Sequence, residues 1–205
     1  MKILNLSSKN GIYSCNVYFI LGNSNAAKGI NTLVDVGRDP SILEKIKQTQ
    51  TGIGKSAVEQ VALTHGHYDH ASLLPRIREA YNPTVCAHPA SVDGVDRLLR
   101  DGESLKIGNQ IFEVIYMPGH SDDSICLYCK SEGVLFAGDS HVVPISASAD
   151  DIDKQGYVDA LIRLAQKNIK AIYFGHGNPL LNNCNTRVRS ALKIVENSLN
   201  GCCQT

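Results

Sequence analysis

The sequence predicts an α/β protein of four layers, αββα, in which two mixed sheets pack face to face with helices outside. Three observations carry this reading. Strand-like and helix-like segments follow one another as strands, helices, strands, helices, twice over, the order that gives sheets covered by helices. The chain has 205 residues, 43% of them hydrophobic and none of them Trp, enough for one aliphatic core. No repeat, low-complexity tract or clear linker interrupts it, so residues 1–205 read as a single domain.

The elements follow in order. KILNL, NVYFIL and TLVDV are short apolar runs separated by the Ser/Asn/Gly turns SSKNG and GNSNAAKG, and read as strands. Asp39-Pro40 opens a helix, with Asp39 as N-cap and Pro40 at N1, and its buried face carries Ile42, Leu43 and Ile46. VEQVALT is the next strand, a helix is expected from about Ser72 to Tyr81, and TVCAH is a further strand. DGVDRLLRDGE reads as an irregular or helical connection, and SLKIGNQIFEVIYM as a hairpin turning at Gly108-Asn109. SICLYC and GVLFAGD are two more strands, followed by the polar loop SASADD. YVDALIRLAQK is a helix with Tyr157, Leu161 and Leu164 on one side. IKAIYFGHG is the last strand, and Val188, Leu192, Val195 and Leu199 recur at helical spacing near the end.

Bulk chemistry narrows the function. Lys+Arg and Asp+Glu number 20 each, so formal net charge is zero, and neither nucleic acid nor an anionic membrane is an expected partner. MKILNLSSKNG has no signal-peptide core and VYFILG is too short to cross a bilayer, so the expectation is a soluble, cytoplasmic protein. The seven cysteines (Cys15, Cys86, Cys126, Cys129, Cys184, Cys202 and Cys203) are odd in number and scattered, which fits free thiols in a reducing compartment. Cys126 and Cys129, three apart on a strand, point to opposite faces and share no metal.

LTHGHYDHASLLP crowds His65, His67, Asp69 and His70 into six positions directly after a strand. Residues i and i+2 of an extended backbone point the same way, so His65 and His67 can reach one ion. Asp69 and His70 fall where the chain turns into a helix and project elsewhere, toward a second ion or a supporting role. Gly66 lets the backbone pass close to the site. Three other strands end in a donor: His120 after a Pro-Gly turn, Asp139 in VLFAGDS and His176 in IYFGHGN. Strand ends are where functional side chains of α/β proteins converge. A closed structural zinc needs about four ligands, usually with Cys. Five His and two Asp point instead to two ions sharing a carboxylate, with room for water.

HGHYDH, PGH, AGD and FGHG, preceded by LVDVG with Asp35, resemble the metallo-β-lactamase superfamily in order and along nearly the whole chain. The resemblance implies that family's fold. It implies one metal on His65, His67 and His120, a second on Asp69, His70 and His176, and Asp139 bridging them. The implied cofactors are two divalent ions, zinc foremost, with iron or manganese as alternatives. It further implies a metal-bound hydroxide as nucleophile, the second ion stabilising oxyanion or leaving group, and Asp69 as the catalytic residue that orients the hydroxide or passes a proton. Asp35 looks like a residue that supports a ligand rather than binding metal. His88 reads as a satisfied histidine, His141 as a loop histidine or a substrate contact, and Ser121, Asp122 and Asp123 as structural. Tyr68 reads as pocket lining or packing, and Lys45, Lys47, Arg97 and Arg100 as solvated helix faces.

Within the family, a neutral chain of 205 residues leaves no room for the added domain of the nucleases, and His67 departs from the diiron oxygen-reductase pattern. The chain most resembles the hydroxyacylglutathione hydrolase (glyoxalase II) branch, which cleaves thioesters, although Ala71-Ser72-Leu73 stands where a glycine is usual. The expected activity is hydrolysis of a small thioester, ester or lactone. Two other readings stand beside it: a persulfide dioxygenase with a single iron on His65, His120 and Asp139, and a metal-binding scaffold without turnover.

Overall fold

The computed structural model describes residues 1–7, 11–22, 29–51, 56–89, 91–144 and 155–201. Six strands form the first sheet in chain order: β1 (Lys2–Asn5), β2 (Tyr18–Leu21), β3 (Thr32–Val34), β4 (Gln60–Ala62), β5 (Thr84–Ala87) and β6 (Arg97–Leu98). β1, β2 and β3 pair antiparallel, while β3 through β6 pair in parallel. The second sheet runs β11-β10-β9-β8-β7, from β7 (Ser104–Ile107), β8 (Gln110–Tyr116), β9 (Ile125–Cys129), β10 (Val134–Gly138) and β11 (Ala171–Phe174). Only β10 and β11 are parallel there. Both sheets are therefore mixed.

Strand alternation divides the apolar residues into three layers of core. Tyr18, Ile20, Val34 and Cys86 of the first sheet meet Phe112, Val114, Leu127, Cys129 and Phe136 of the second. Phe19, Leu33, Val61 and Val85, on the other face, pack on α1 (Ser41–Gln48) and α3 (Leu74–Tyr81) through Ile42, Ile46, Leu74 and Ile77. Ile115, Cys126, Leu135 and Ile172 face α4 (Gln155–Ala165) and α5 (Cys184–Gly201), whose Tyr157, Leu161, Leu164, Val188 and Val195 are buried. The order is αββα, as expected. Cys126 and Cys129 lie in different layers, as their spacing required, and the five described cysteines are free and buried.

Three local features differ from or add to the expectations. The helix expected from about Ser72 to Tyr81 is α3, and a short helix not expected, α2 (Tyr68–Ala71), precedes it. Pro75 lacks an N–H and its ring collides with the carbonyl four residues back, which breaks the run at Ala71. DGVDRLLRDGE is not helical: Arg97 and Leu98 pair with Cys86 and Ala87 as the sheet's edge strand. Asp39 caps α1 from one position further out, its Oδ1 accepting from Ser41 N at 3.0 Å. Cys202, Cys203, the SASADD loop and the middles of the first two turns lie outside the described residues, as does the side chain of Leu199. Among the described residues, no helix is long and apolar enough to cross a membrane.

Phe136 is 1% exposed and touches the rings of Tyr18, Phe112 and Tyr173 between the sheets. Phe136→Ala should cost about 3–5 kcal/mol in urea unfolding; a loss below about 1 kcal/mol would show that the two sheets do not depend on this contact.

Candidate metal centre

The strand ends deliver the seven predicted donors to one rim of the sandwich. His65 and His67 follow β4, Asp69 and His70 sit on α2, and His120 lies in the turn before β9. Asp139 directly follows β10 and His176 follows β11. The two sheets are joined here, since Ile125 N donates to Thr64 O at 2.8 Å.

His67 is the extended residue before α2, with φ −61° and ψ 147°, so the chain changes direction between His67 and Asp69. One trio is His65, His67 and His120: His120 Nε2 stands 2.9 Å from His67 Nδ1, and the His65 ring lies 4.6 and 4.8 Å from theirs. The other is Asp69, His70 and His176, with Asp69 Oδ2 at 3.0 Å from His176 Nε2 and 3.9 Å from His70 Nε2. Asp139 reaches both. Its Oδ1 is 3.4 Å from His70 Nε2, and its Oδ2 is 3.4 Å from His176 Nε2 and 3.6 Å from His120 Nε2. Donors bound to one tetrahedral zinc at 2.0–2.1 Å stand about 3.3 Å from one another, which these spacings match.

Hydrogen bonds behind the imidazoles fix which nitrogen faces inward. Asp35 Oδ1 accepts from Thr64 N at 2.8 Å, and its Oδ2 accepts from the Thr64 hydroxyl and from His70 Nδ1, each at 2.9 Å. Having given its only proton to Asp35, Thr64 Oγ1 accepts from His65 Nδ1 at 3.2 Å. Both rings are thereby turned with Nε2 toward the centre. His65 Nε2, His70 Nε2 and Asp139 Oδ1 are buried there without a hydrogen-bond partner. Buried polar atoms are nearly always satisfied, so three converging orphans fit a cation between them.

Burial and neighbouring charges set the protonation of the donors in the metal-free chain. Burial, then the neighbouring His70, push the His65 imidazole down to about 4, so its lone pair is available at neutral pH. Burial opposes ionisation of Asp139, but the facing His70 and then His176 hold its carboxyl down at about 2. Burial likewise opposes charge on His70, yet Asp35 and Asp139 outweigh it and raise its pKa. Cys15, Asp35 and His70 form a further buried donor group. Burial pushes the Cys15 thiol up to about 12, so it stays protonated in the metal-free chain.

Glycines make the crowding possible. A Cβ on Gly175 would stand 2.0 Å from Asp139 Oδ1 and 2.6 Å from His70 Cε1. Gly66, as expected, passes close: a Cβ would come within 3.1 Å of Asp123 Oδ2. Asp123 Oδ2 accepts from Gly66 N at 2.6 Å and its Oδ1 from Ser121 Oγ at 2.7 Å, so Asp123 ties the His65–His67 stretch to the His120 turn.

A cleft of about 340 Å³ opens beside the donors, lined by His120, Asp139, His141, Val143, Phe174 and His176 among others. The exposed Tyr13 ring stacks on His176 at 5.2 Å, and Arg38 lies over the exposed Tyr68 ring at 4.9 Å. His88 stacks on Tyr116 at 4.7 Å and belongs to none of the donor groups. Lys45 is not simply solvated, since its ammonium donates to Leu6 O at 2.6 Å. Sequence reasoning missed Thr64, Gly175, Tyr13 and Asn16. The one available signal was Asn16 itself, a polar residue inside the buried run Cys15–Ile20.

The sequence matches the family model of the metallo-beta-lactamase superfamily over residues 10–176. It is 32% identical over 115 residues to a hydroxyacylglutathione hydrolase of Chelativorans sp., covering 55% of this chain and 43% of that one. It is 25% identical over 152 residues to an atrochrysone carboxyl ACP thioesterase of Aspergillus fumigatus, covering 71% of this chain and 46% of the relative. The chain thus spans less than half the length of both. Among solved structures, a metallo-beta-lactamase family protein from Thermus thermophilus superposes with a TM-score of 0.68 at 20% identity, covering 98% of this chain and 80% of that one, a likeness of fold.

Gly175→Ala should abolish tight metal binding, because the new methyl collides with Asp139; unchanged metal content would contradict the geometry. In NMR titration of the metal-free protein, His65 should gain its proton only as pH falls toward about 4. Titration near the ordinary 6.5 would show that the ring is not held in its buried, donating state.

Proposed function

The chain belongs to the metallo-β-lactamase superfamily, and from that premise we propose that it is a metal-dependent hydrolase of a small thioester, ester or lactone. The observation that supports this is the meeting of two donor trios across one carboxylate, with three buried donor atoms left without partners. His65, His67 and His120 would hold one ion, Asp69, His70 and His176 the other, and Asp139 both. Divalent ions bound there, zinc first among them, supply an acidified water and an electrophile for the developing oxyanion.

The chain's own residues account for the remaining steps. Asp35 and Thr64 keep His70 and His65 in the tautomers that present Nε2. Asp69, buried against His176, would take a proton from the attacking water as it adds to the carbonyl and pass that proton to the leaving atom as the acyl bond breaks. Val143 and Phe174 give the cleft an apolar wall for a small acyl group, with His141 beside it. A thiol of pKa about 8.5 departs with less help than an alkoxide, so a thioester is the preferred substrate, in keeping with relatives named as a hydroxyacylglutathione hydrolase and a thioesterase. The partner is a small molecule. Five buried, unpaired thiols support a reducing, cytoplasmic setting.

A single iron on His65, His120 and Asp139 would leave four converging donors without a part, which favours two ions over the dioxygenase reading. Protein purified without chelator should carry about two divalent ions per chain and hydrolyse simple acyl thioesters. Asp139→Ala should lose both ions and His88→Ala neither. One iron per chain, with oxygen uptake on a persulfide and no hydrolysis, would replace this reading with the dioxygenase; full metal content with no turnover would leave a scaffold.

A further inference from the structure

The two donor trios are secured by different parts of the chain. Asp123 ties the His65–His67 stretch to the His120 turn. The second trio is drawn from α2 and from the turn after β11, and both are bonded to the dipeptide Cys15-Asn16. Cys15 N donates to Asp69 O at 3.2 Å, and Asn16 N donates to Gly175 O at 2.6 Å. The Asn16 side-chain Nδ2 donates to Phe174 O at 3.0 Å and to Gly177 O at 2.8 Å, bracketing His176 from both sides. Carbonyls only accept, so the orientation of this amide is fixed by its partners. Its Oδ1 is held in turn by Asn5 Nδ2 at 3.0 Å, and the Tyr18 hydroxyl adds a bond to Phe174 O at 2.8 Å. Asn16 is 9% exposed.

The turn from 175 to 177 has no helix or strand of its own to hold it. The bridge between Ile172 and Leu180 closes its base and Gly175 N donates to Gly138 O at 2.8 Å, while the Asn16 amide spans its tip by joining the carbonyls at 174 and 177. We propose that Asn16 is the positioning residue of the second metal subsite: without touching the ion, it presents His176 to Asp69 and sets that ion's affinity independently of the first. This rests on the reading that the two trios hold two ions.

The test is equilibrium dialysis of the metal-free full chain against graded free zinc, with metal content measured at each step and folding followed by circular dichroism. Asn16→Asp keeps the shape but turns an acceptor toward two carbonyls. It should weaken the second ion about 10–100-fold, the cost usual for groups that orient a ligand, and leave the first where it was. Asn16→Ala, which introduces no charge, should do the same, and Tyr18→Phe should act in the same direction by less. Asp123→Asn should reverse the pattern and weaken the first ion. Equal weakening of both ions in the Asn16 variants, or of neither, would overturn the assignment. A wild-type chain that takes up only one ion would overturn the two-ion reading itself.

Discussion

The carboxylate of Asp35 is the contact on which the rim of this molecule depends. It is 2% exposed and accepts hydrogen bonds from the Thr64 amide, the Thr64 hydroxyl and His70 Nδ1. An ionised carboxylate can remain buried only when its lone pairs are met in this way. Its backbone adopts φ +59°, a left-handed conformation that a short polar side chain tolerates better than most. From this point order spreads outward. Thr64, with its proton committed, fixes the His65 tautomer. Its carbonyl meets Ile125 of the other sheet, so the orientation of the donors and the docking of the two sheets are one arrangement.

The two donor trios are not equivalent. Both have a buried imidazole, His65 or His70, and a part-exposed one, His120 or His176, but the third donor is the exposed His67 in one and the buried Asp69 in the other. Supporting bonds differ as well, with Asp123 behind one set and the Cys15-Asn16 dipeptide behind the other. Each trio thus reaches from the core to the rim, and Asp139 stands between them.

Much of this was legible in the sequence because it is local. Apolar runs bounded by glycine gave the strands, and HGHYDH placed four donors by spacing alone. The convergence of His120, Asp139 and His176 on them was legible because each ends a strand, and strands of a layered fold share a rim. What escaped were relations between distant segments. Asn16 reads as one polar residue in an apolar run, and nothing near it names the turn it holds more than 150 positions later. The edge strand Arg97–Leu98 exists only through pairing with β5, in a stretch of Asp, Gly and Arg that has no strand signature. The break between α2 and α3 was written in Pro75, whose effect falls four residues upstream.

The distribution of thiols gives the molecule a built-in reporter. Cys15 lies between the first sheet and its helices, Cys86 and Cys129 between the sheets, and Cys126 and Cys184 between the second sheet and its helices. Each interface therefore shields at least one sulfur that only local opening can expose. The rate at which each thiol reacts under native conditions measures how often its own layer parts, so the cooperativity of the four layers can be read cysteine by cysteine.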